Sequence, residues 1–371
     1  MEAATKAVNA RSADREVAAV IEAMRQAVAD GPDIYRPGAF WDVLIARNLE
    51  MLEAEGIANF KRTVSNNYYN WLVISRRDPQ VRRAAINWLR HPTLAPLINH
   101  LEPESATGLR TPAEARSFAL SRLGRLCYRF FVGAMWDTAR RDDRLRLTRR
   151  LSEPEAGNPI RIHHRGRLIS QDLANSIIEL TFAARSDAVG DGSRVAELGA
   201  GYGRLAYVFS QAFALTYCIF DVPPALAIAQ WYLTSVLGPD RVVPYAPRSD
   251  FSELEPRLTR GVVALFTPDQ MELFPDGWFD CTQTISTLPE MPARQSAHYM
   301  GLLSAKSARA VFLKQWRRWR NEADGVELSE DQYQLPKPWR LAARRVDPVQ
   351  PAFFNQLWLR PRPEGTARAW R

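Results

Sequence analysis

The sequence predicts an α/β protein: a doubly wound, mostly parallel sheet whose last strand runs antiparallel, preceded by an all-helical N-terminal domain. Three observations lead there. From about residue 190, short apolar runs alternate with helix-length segments, the pattern of strands covered on both faces by crossover helices. The chain closes on two strand-like segments, WRLAARRVDP and AFFNQLWLRP, with too few residues between them for a crossover, so this pair is antiparallel. Residues 1 to about 150, in contrast, carry apolar positions three and four apart and no alternating run of any length.

Taken in order, REVAAVIEAMRQAVA and FWDVLIARNLEMLEAEGI read as amphipathic helices, with further helices expected at 79–90, 112–127 and 129–148. The aromatic segment FKRTVSNNYYNWLVISRRDP stops at Asp78-Pro79. LSEPEAGNPIR (151–161), with two prolines and a glycine, is the expected linker, dividing the chain into domains 1–155 and 156–371. Ser170 then suits the N-cap of a helix through QDLANSIIELTFAAR. SRVAEL (193–198) is the first strand of the sheet, GRLAYVFSQAF a helix and LTYCIFDV (215–222) the second strand. PPALAIAQWYLTSVLG opens with prolines and ends on glycine, as helices do. VVPYA, GVVALFT and FDCTQTIST (279–287) supply further strands, and a helix near 292–305 leads into ARAVFLKQW (308–316).

Composition limits the function classes. The chain has 371 residues, 46% of them hydrophobic, with 11 Trp, 11 Tyr and 16 Phe, so a sizeable core is available and two domains are expected. The formal charge is +8, and 44 of the 49 basic residues are Arg. Guanidinium groups suit an anionic small molecule, although GC-rich coding produces the same bias; their scatter argues against nucleic acid as partner. Cys127, Cys218 and Cys281 lie far apart without a C-x-x-C, which disfavours a zinc site or disulfide framework and fits a cytoplasmic location. The start, MEAATKAVNARSADREVAAVIEAM, is charged, and the longest stretches without charge are broken by Gln211, Pro223, Pro224 and Gln230, so neither a leader nor a membrane span is expected.

The segment VAELGAGYGRLAYVF (195–209) carries the functional signal. Gly199, Gly201 and Gly203 sit between a strand and a helix, where the first helical N–H groups point at the turn. Missing Cβ atoms let a ligand press on the backbone and let the chain take positive φ; a purely structural tight turn is the alternative. In open α/β sheets this edge is where ligands bind. The dinucleotide fingerprint G-x-G-x-x-G would need glycine where Arg204 stands, which disfavours a nicotinamide dehydrogenase. Glu197 at the strand's end opposes a pyrophosphate and suits an ammonium. Asp221, eighteen residues after Gly203, can accept from both hydroxyls of a ribose or cap the helix that follows.

ELGAGYGRLAYVF followed by FDVPPALAIAQWYL resembles the first two motifs of class I S-adenosylmethionine-dependent methyltransferases, and more narrowly the bacterial sugar O-methyltransferases. The resemblance continues in NFKRTVSNNYYNWLV, RGRLISQDLANSIIEL, FDCTQTISTLPEM and FLKQW, spanning most of residues 57–316. It implies a seven-stranded Rossmann-like methyltransferase sheet and S-adenosylmethionine as cofactor. It further implies cofactor contacts from the turn Gly199, Ala200, Gly201, Tyr202 and Gly203, with Glu197 at the amino group, Asp221 at the ribose, and Asp269 and Gln270 beside the adenine. The acceptor it implies is a sugar or glycoconjugate.

A sugar hydroxyl is a poor nucleophile while protonated, so a general base is expected. Glu290 in TLPEM follows the strand that borders the methyl group in this fold and ranks first; its alternative role is to charge a helix N-terminus. His164 and His163 in IRIHHRGRL follow, of which one at most faces a site because neighbours in an extended chain point oppositely, and His298 comes last. No metal cluster is visible. Arg317, Trp319 and Arg320 in KQWRRWRNEADG suit stacking on a sugar or base and pairing with an anionic acceptor, or else form an exposed turn. The helical domain is expected to cover the acceptor or to mediate self-association. The rival functions are a methyltransferase-like binding protein without catalysis and, ranked below it, a nucleic-acid methyltransferase.

Overall fold

The computed structural model describes residues 2–62 and 122–361, with side chains described from Ser12 in the first helix and from Arg129 in the third. The helices expected at 79–90 and over most of 112–127, with the YYNWLV segment, lie outside the described residues. In the first part α1 (Glu2–Asp30) and α2 (Ala39–Glu55) are followed by a 3-10 segment, Ile57–Arg62; α3 (Arg122–Asp142) and the single turn α4 (Leu147–Arg150) come next. Residues 151–161 are irregular but anchored: buried Glu153 pairs with Lys61 and accepts from Ser170 Oγ at 2.7 Å.

A hairpin that the sequence shows only as extended chain follows, β1 (Ile162–His164) and β2 (Arg167–Ile169). Its two-residue loop, Arg165 and Gly166, has φ of 50° and 80°, the mirror-image turn that matches strand twist. Helix α5 (Gln171–Ala183) begins as expected, Ser170 Oγ accepting from the Leu173 N–H. The alternating part is β3 (Arg194–Leu198), α6 (Arg204–Ala212), β4 (Thr216–Phe220), α7 (Ala225–Leu237), β5 (Val242–Val243), β6 (Val263–Phe266), β7 (Phe279–Ile285), α8 (Ala293–Lys306) and β8 (Ser307–Trp316). A second hairpin, β9 (Arg318–Asn321) and β10 (Val326–Ser329), precedes β11 (Arg340–Val346) and β12 (Phe353–Leu359).

The sheet order is β11-β12-β8-β7-β3-β4-β6-β5. Pairings from β5 to β8 are parallel, and β12 is antiparallel to both its neighbours. There are eight strands where seven were expected, because VVPYA contributes only the two-residue edge strand β5 outside β6. The chain runs outward from β3 through β4 and then returns to the other side at β7. The topological switch point therefore lies between β3 and β7, at the turn that carries the three glycines.

Alternation along the central strands feeds two apolar cores. Val195, Tyr217, Ile219 and Phe312 pack under α5, α6 and α7, together with Val17, Ile21 and Met24 of α1 and Phe131 and Met135 of α3. Ala196, Leu198, Phe220 and Leu313 face α8 and the 3-10 segments on the other side. Strands buried on both faces read as continuous apolar runs, which is why they were legible.

Candidate functional site

All three glycines of the turn have positive φ: 75° at Gly199, 58° at Gly201 and 81° at Gly203. An added Cβ at Gly199 would lie 2.0 Å from Thr287 Oγ1, and one at Gly203 would lie 2.7 Å from Leu233 Cδ1. Both positions thus need glycine for the fold's own packing, against the segment after β7 and against α7. At Gly201 the N–H donates to Asp221 Oδ2 at 2.7 Å, while the Val222 N–H donates to Oδ1 at 2.7 Å. Asp221 does not cap α7, whose N-cap is Pro224. Burial pushes the Asp221 carboxyl up to about 7, against the pull of the Val222, Gly201 and Ala200 N–H groups.

Glu197 lies on the face of β3 that packs under the helices and accepts from Tyr217 Oη at 2.6 Å; Gln283 donates to the same hydroxyl. Burial pushes Glu197 to about 7. Tyr202 Oη donates to Asp172 of α5 at 2.8 Å, and its ring packs against Phe60 and Tyr232. Arg204, which opens α6, donates to both oxygens of Glu179 and to Ser176. Lys314 of β8 reaches Glu179 at 2.8 Å and Asp347 at 3.1 Å, so two buried cations meet two buried anions beneath the turn. That network clamps α5 onto the glycine turn.

Past β6, Asp269 and Gln270 have different fates. Gln270 closes its own 3-10 turn, Oε1 accepting from the Thr267 N–H, and donates to the Ala246 carbonyl. Asp269 Oδ1 is buried without a hydrogen-bond partner among the described residues. Its negative charge acts on Tyr35, Tyr245 and Tyr299.

Past β7, Ser286 has φ of 60°, a left-handed conformation rare outside glycine, and turns the chain into the 3-10 segment ending at Glu290. Ser286 Oγ donates to Glu290 Oε1 at 3.2 Å and accepts from Trp316 Nε1 at 3.0 Å. Burial raises the Glu290 carboxyl to about 8; Ser286 opposes the shift and the charge of Asp221 adds to it. Glu290 and Asp221 therefore share one edge of the sheet.

The histidines have other engagements. His298 on α8 meets Tyr35 Oη at 2.9 Å, and that hydroxyl donates to Glu272. His163 is exposed; His164 stands 3.8 Å from Asp137 of α3, and burial lowers its pKa. The WRRWR stretch runs into strand β9. Arg317 pairs with Glu330 at 3.3 Å, exposed Arg320 with Glu322 at 3.6 Å, and Trp319 stacks on Trp316 with ring centroids 4.9 Å apart. Phe40 contacts Trp319 edge-on. The segment 34–40 is tied across this edge: Gln295 donates to the carbonyls of Ile34 and Arg36, while Asp324 accepts from the N–H groups of Ala39 and Phe40.

Sequence reasoning missed Thr287, Ser286 and Tyr35. Their types carry no chemistry alone, and only the fold sets them around the turn. No family model matches the chain, and no curated protein does. Among solved structures, the magnesium protoporphyrin IX methyltransferase of Synechocystis PCC 6803 with bound S-adenosylhomocysteine is 13% identical, covers 64% of this chain and 99% of its own, and has a TM-score of 0.37. The cyclase SpnF is 15% identical over 62% of this chain and 96% of its own, with a TM-score of 0.38. Likeness this distant assigns no activity.

Proposed function

We propose that the chain is an S-adenosylmethionine-dependent O-methyltransferase whose acceptor is a hydroxyl of a sugar, on a saccharide, a sugar nucleotide or a glycosylated small molecule. The observation that carries this reading is the placement of Asp221 and Glu290 on either side of a three-glycine turn at the topological switch point. A turn edged by carboxylates with raised pKa values, and by the orphaned Asp269 Oδ1, suits a cationic ligand rich in hydrogen-bond donors. When bound, the cofactor supplies a methyl group already activated on a sulfonium.

The chain's own part is placement and proton removal. Main chain at Gly199–Gly203 would let the ligand approach, and Asp221 would hold its ribose hydroxyls. Glu290, in its carboxylate form, would take the acceptor hydroxyl's proton. Phe40 and Trp319, in edge-on contact, form an aromatic rim suited to a sugar, with Trp316 packed behind against Trp319 and Phe353, and segment 34–40 of the helical region screens the acceptor from water. Because Arg317 and Arg320 are paired with Glu330 and Glu322, a neutral acceptor has more support than an anionic one.

Calorimetric titration with S-adenosylmethionine and S-adenosylhomocysteine tests the cofactor, and methyl transfer from labelled cofactor to a panel of neutral and phosphorylated sugars tests the acceptor. Absence of heat with both cofactor forms would remove the reading. Heat without transfer to any sugar would remove the acceptor class and leave a binding protein.

A further inference from the structure

Helix α5 holds an unexplained polar pair. Gln171 is 2% exposed and neither its Nε2 nor its Oε1 has a hydrogen-bond partner among the described residues; Asn175, one turn on and 3% exposed, has an unpartnered Oδ1. A buried amide with nothing to bond costs on the order of 1–3 kcal/mol per group, so such a pair calls for a partner.

The helix's position says where that partner sits. Asp172 is bonded to Tyr202 of the glycine turn, Ser176 and Glu179 to Arg204, Glu179 to Lys314, and Phe182 packs on Phe312 with centroids 5.7 Å apart. The helix thus runs opposite to the strands and opens at their carboxyl edge. Eleven residues of helix from Phe182 to Gln171 cover roughly 16 Å. Four residues of strand from Phe312 to Trp316 cover roughly 13 Å. Gln171 therefore stands level with the glycine turn and the end of β8. Gln171, Asn175, Ile178 and Phe182 share one stripe, which Phe182 turns toward β8.

We propose that Gln171 and Asn175 bind the amino-acid end of the adenosyl ligand: Gln171 Nε2 donates to its carboxylate, and Asn175 Oδ1 accepts from its ammonium. The chemistry is matched, since a zwitterion needs one donor and one acceptor side by side. The other polar groups assigned to the ligand here, Glu197, Asp221 and Asp269, are carboxylates that suit its ammonium and would repel its carboxylate. The amino end of a helix adds a partial positive charge beside the carboxylate, while Asp172 is turned away onto Tyr202. This inference rests on the cofactor reading above.

The test compares wild type with Gln171→Leu for ligand-free melting temperature and for affinity toward two ligands. These are S-adenosylhomocysteine and 5′-methylthioadenosine, which lacks the amino-acid end. The variant is expected to melt at the wild-type temperature or above it, because no bond is lost, and to bind S-adenosylhomocysteine about tenfold or more weakly. Methylthioadenosine should bind both proteins alike. An unchanged preference between the two ligands would overturn the proposal, with or without a fall in melting temperature. If wild type bound neither ligand, the cofactor reading would fall and this inference with it.

Discussion

Asp221 Oδ2 accepts a hydrogen bond from the Gly201 N–H at 2.7 Å, joining the end of β4 to the turn that follows β3. The carboxylate organises the turn and holds a negative charge there at once. Asp221→Ala is expected to leave the Gly201 and Val222 N–H groups without that partner and to cost about 1–3 kcal/mol in denaturant unfolding. It should also weaken binding of S-adenosylmethionine, read by calorimetry.

Ligand-free stability should fall as pH rises. Asp221 and Glu197 at about 7 and Glu290 at about 8 keep their protons in the folded chain at pH values where the unfolded chain has released them. Their contribution is therefore full below about pH 4 and lost progressively as pH climbs to about 8. Glu179 and Asp347, held below the usual range by Arg204 and Lys314, act only under that window. A melting temperature that rises from pH 5 to pH 8 would contradict this.

A cation bound beside these carboxylates favours their charged forms. S-adenosylmethionine, which carries the sulfonium, should release protons on binding between pH 6 and 8 and bind more tightly as pH rises; uncharged-sulfur S-adenosylhomocysteine should release fewer. Titrations in buffers of different ionisation enthalpy measure the difference directly.

Glu290→Gln should lower the transfer rate at saturating cofactor by about 10²–10⁴-fold, the usual contribution of a general base, a loss separate from any weakening of sulfonium binding. Loss of affinity without loss of rate would move the base elsewhere.

The ionic cluster under the turn should govern stability. Lys314→Met leaves Asp347 and Glu179 with less compensation in a site where Lys314 is 1% exposed, and is expected to cost about 3–5 kcal/mol in chemical denaturation.

Much of the architecture was readable because it is local. Strands β4 and β6 are apolar on both faces, Ser170 is a side-chain cap, and the positive φ of Gly199, Gly201 and Gly203 is the very reason for those glycines. The hairpins β1–β2 and β9–β10 escaped because three or four residues with mixed polarity carry no clear period. Segment VVPYA reads as a short strand, and only its first two residues pair, at the sheet's edge.

The sequence by itself determined the alternating sheet, the bare turn at its switch point and the carboxylate at the end of β4, because backbone chemistry and burial pattern dictate each within a few residues. Tertiary structure alone decided which polar groups are occupied. Gln270 and Arg317 are committed to protein neighbours, whereas the Gln171 amide and Asp269 Oδ1 are buried without hydrogen-bond partners among the described residues, and this difference depends on which distant segments the packed chain brings within hydrogen-bond reach.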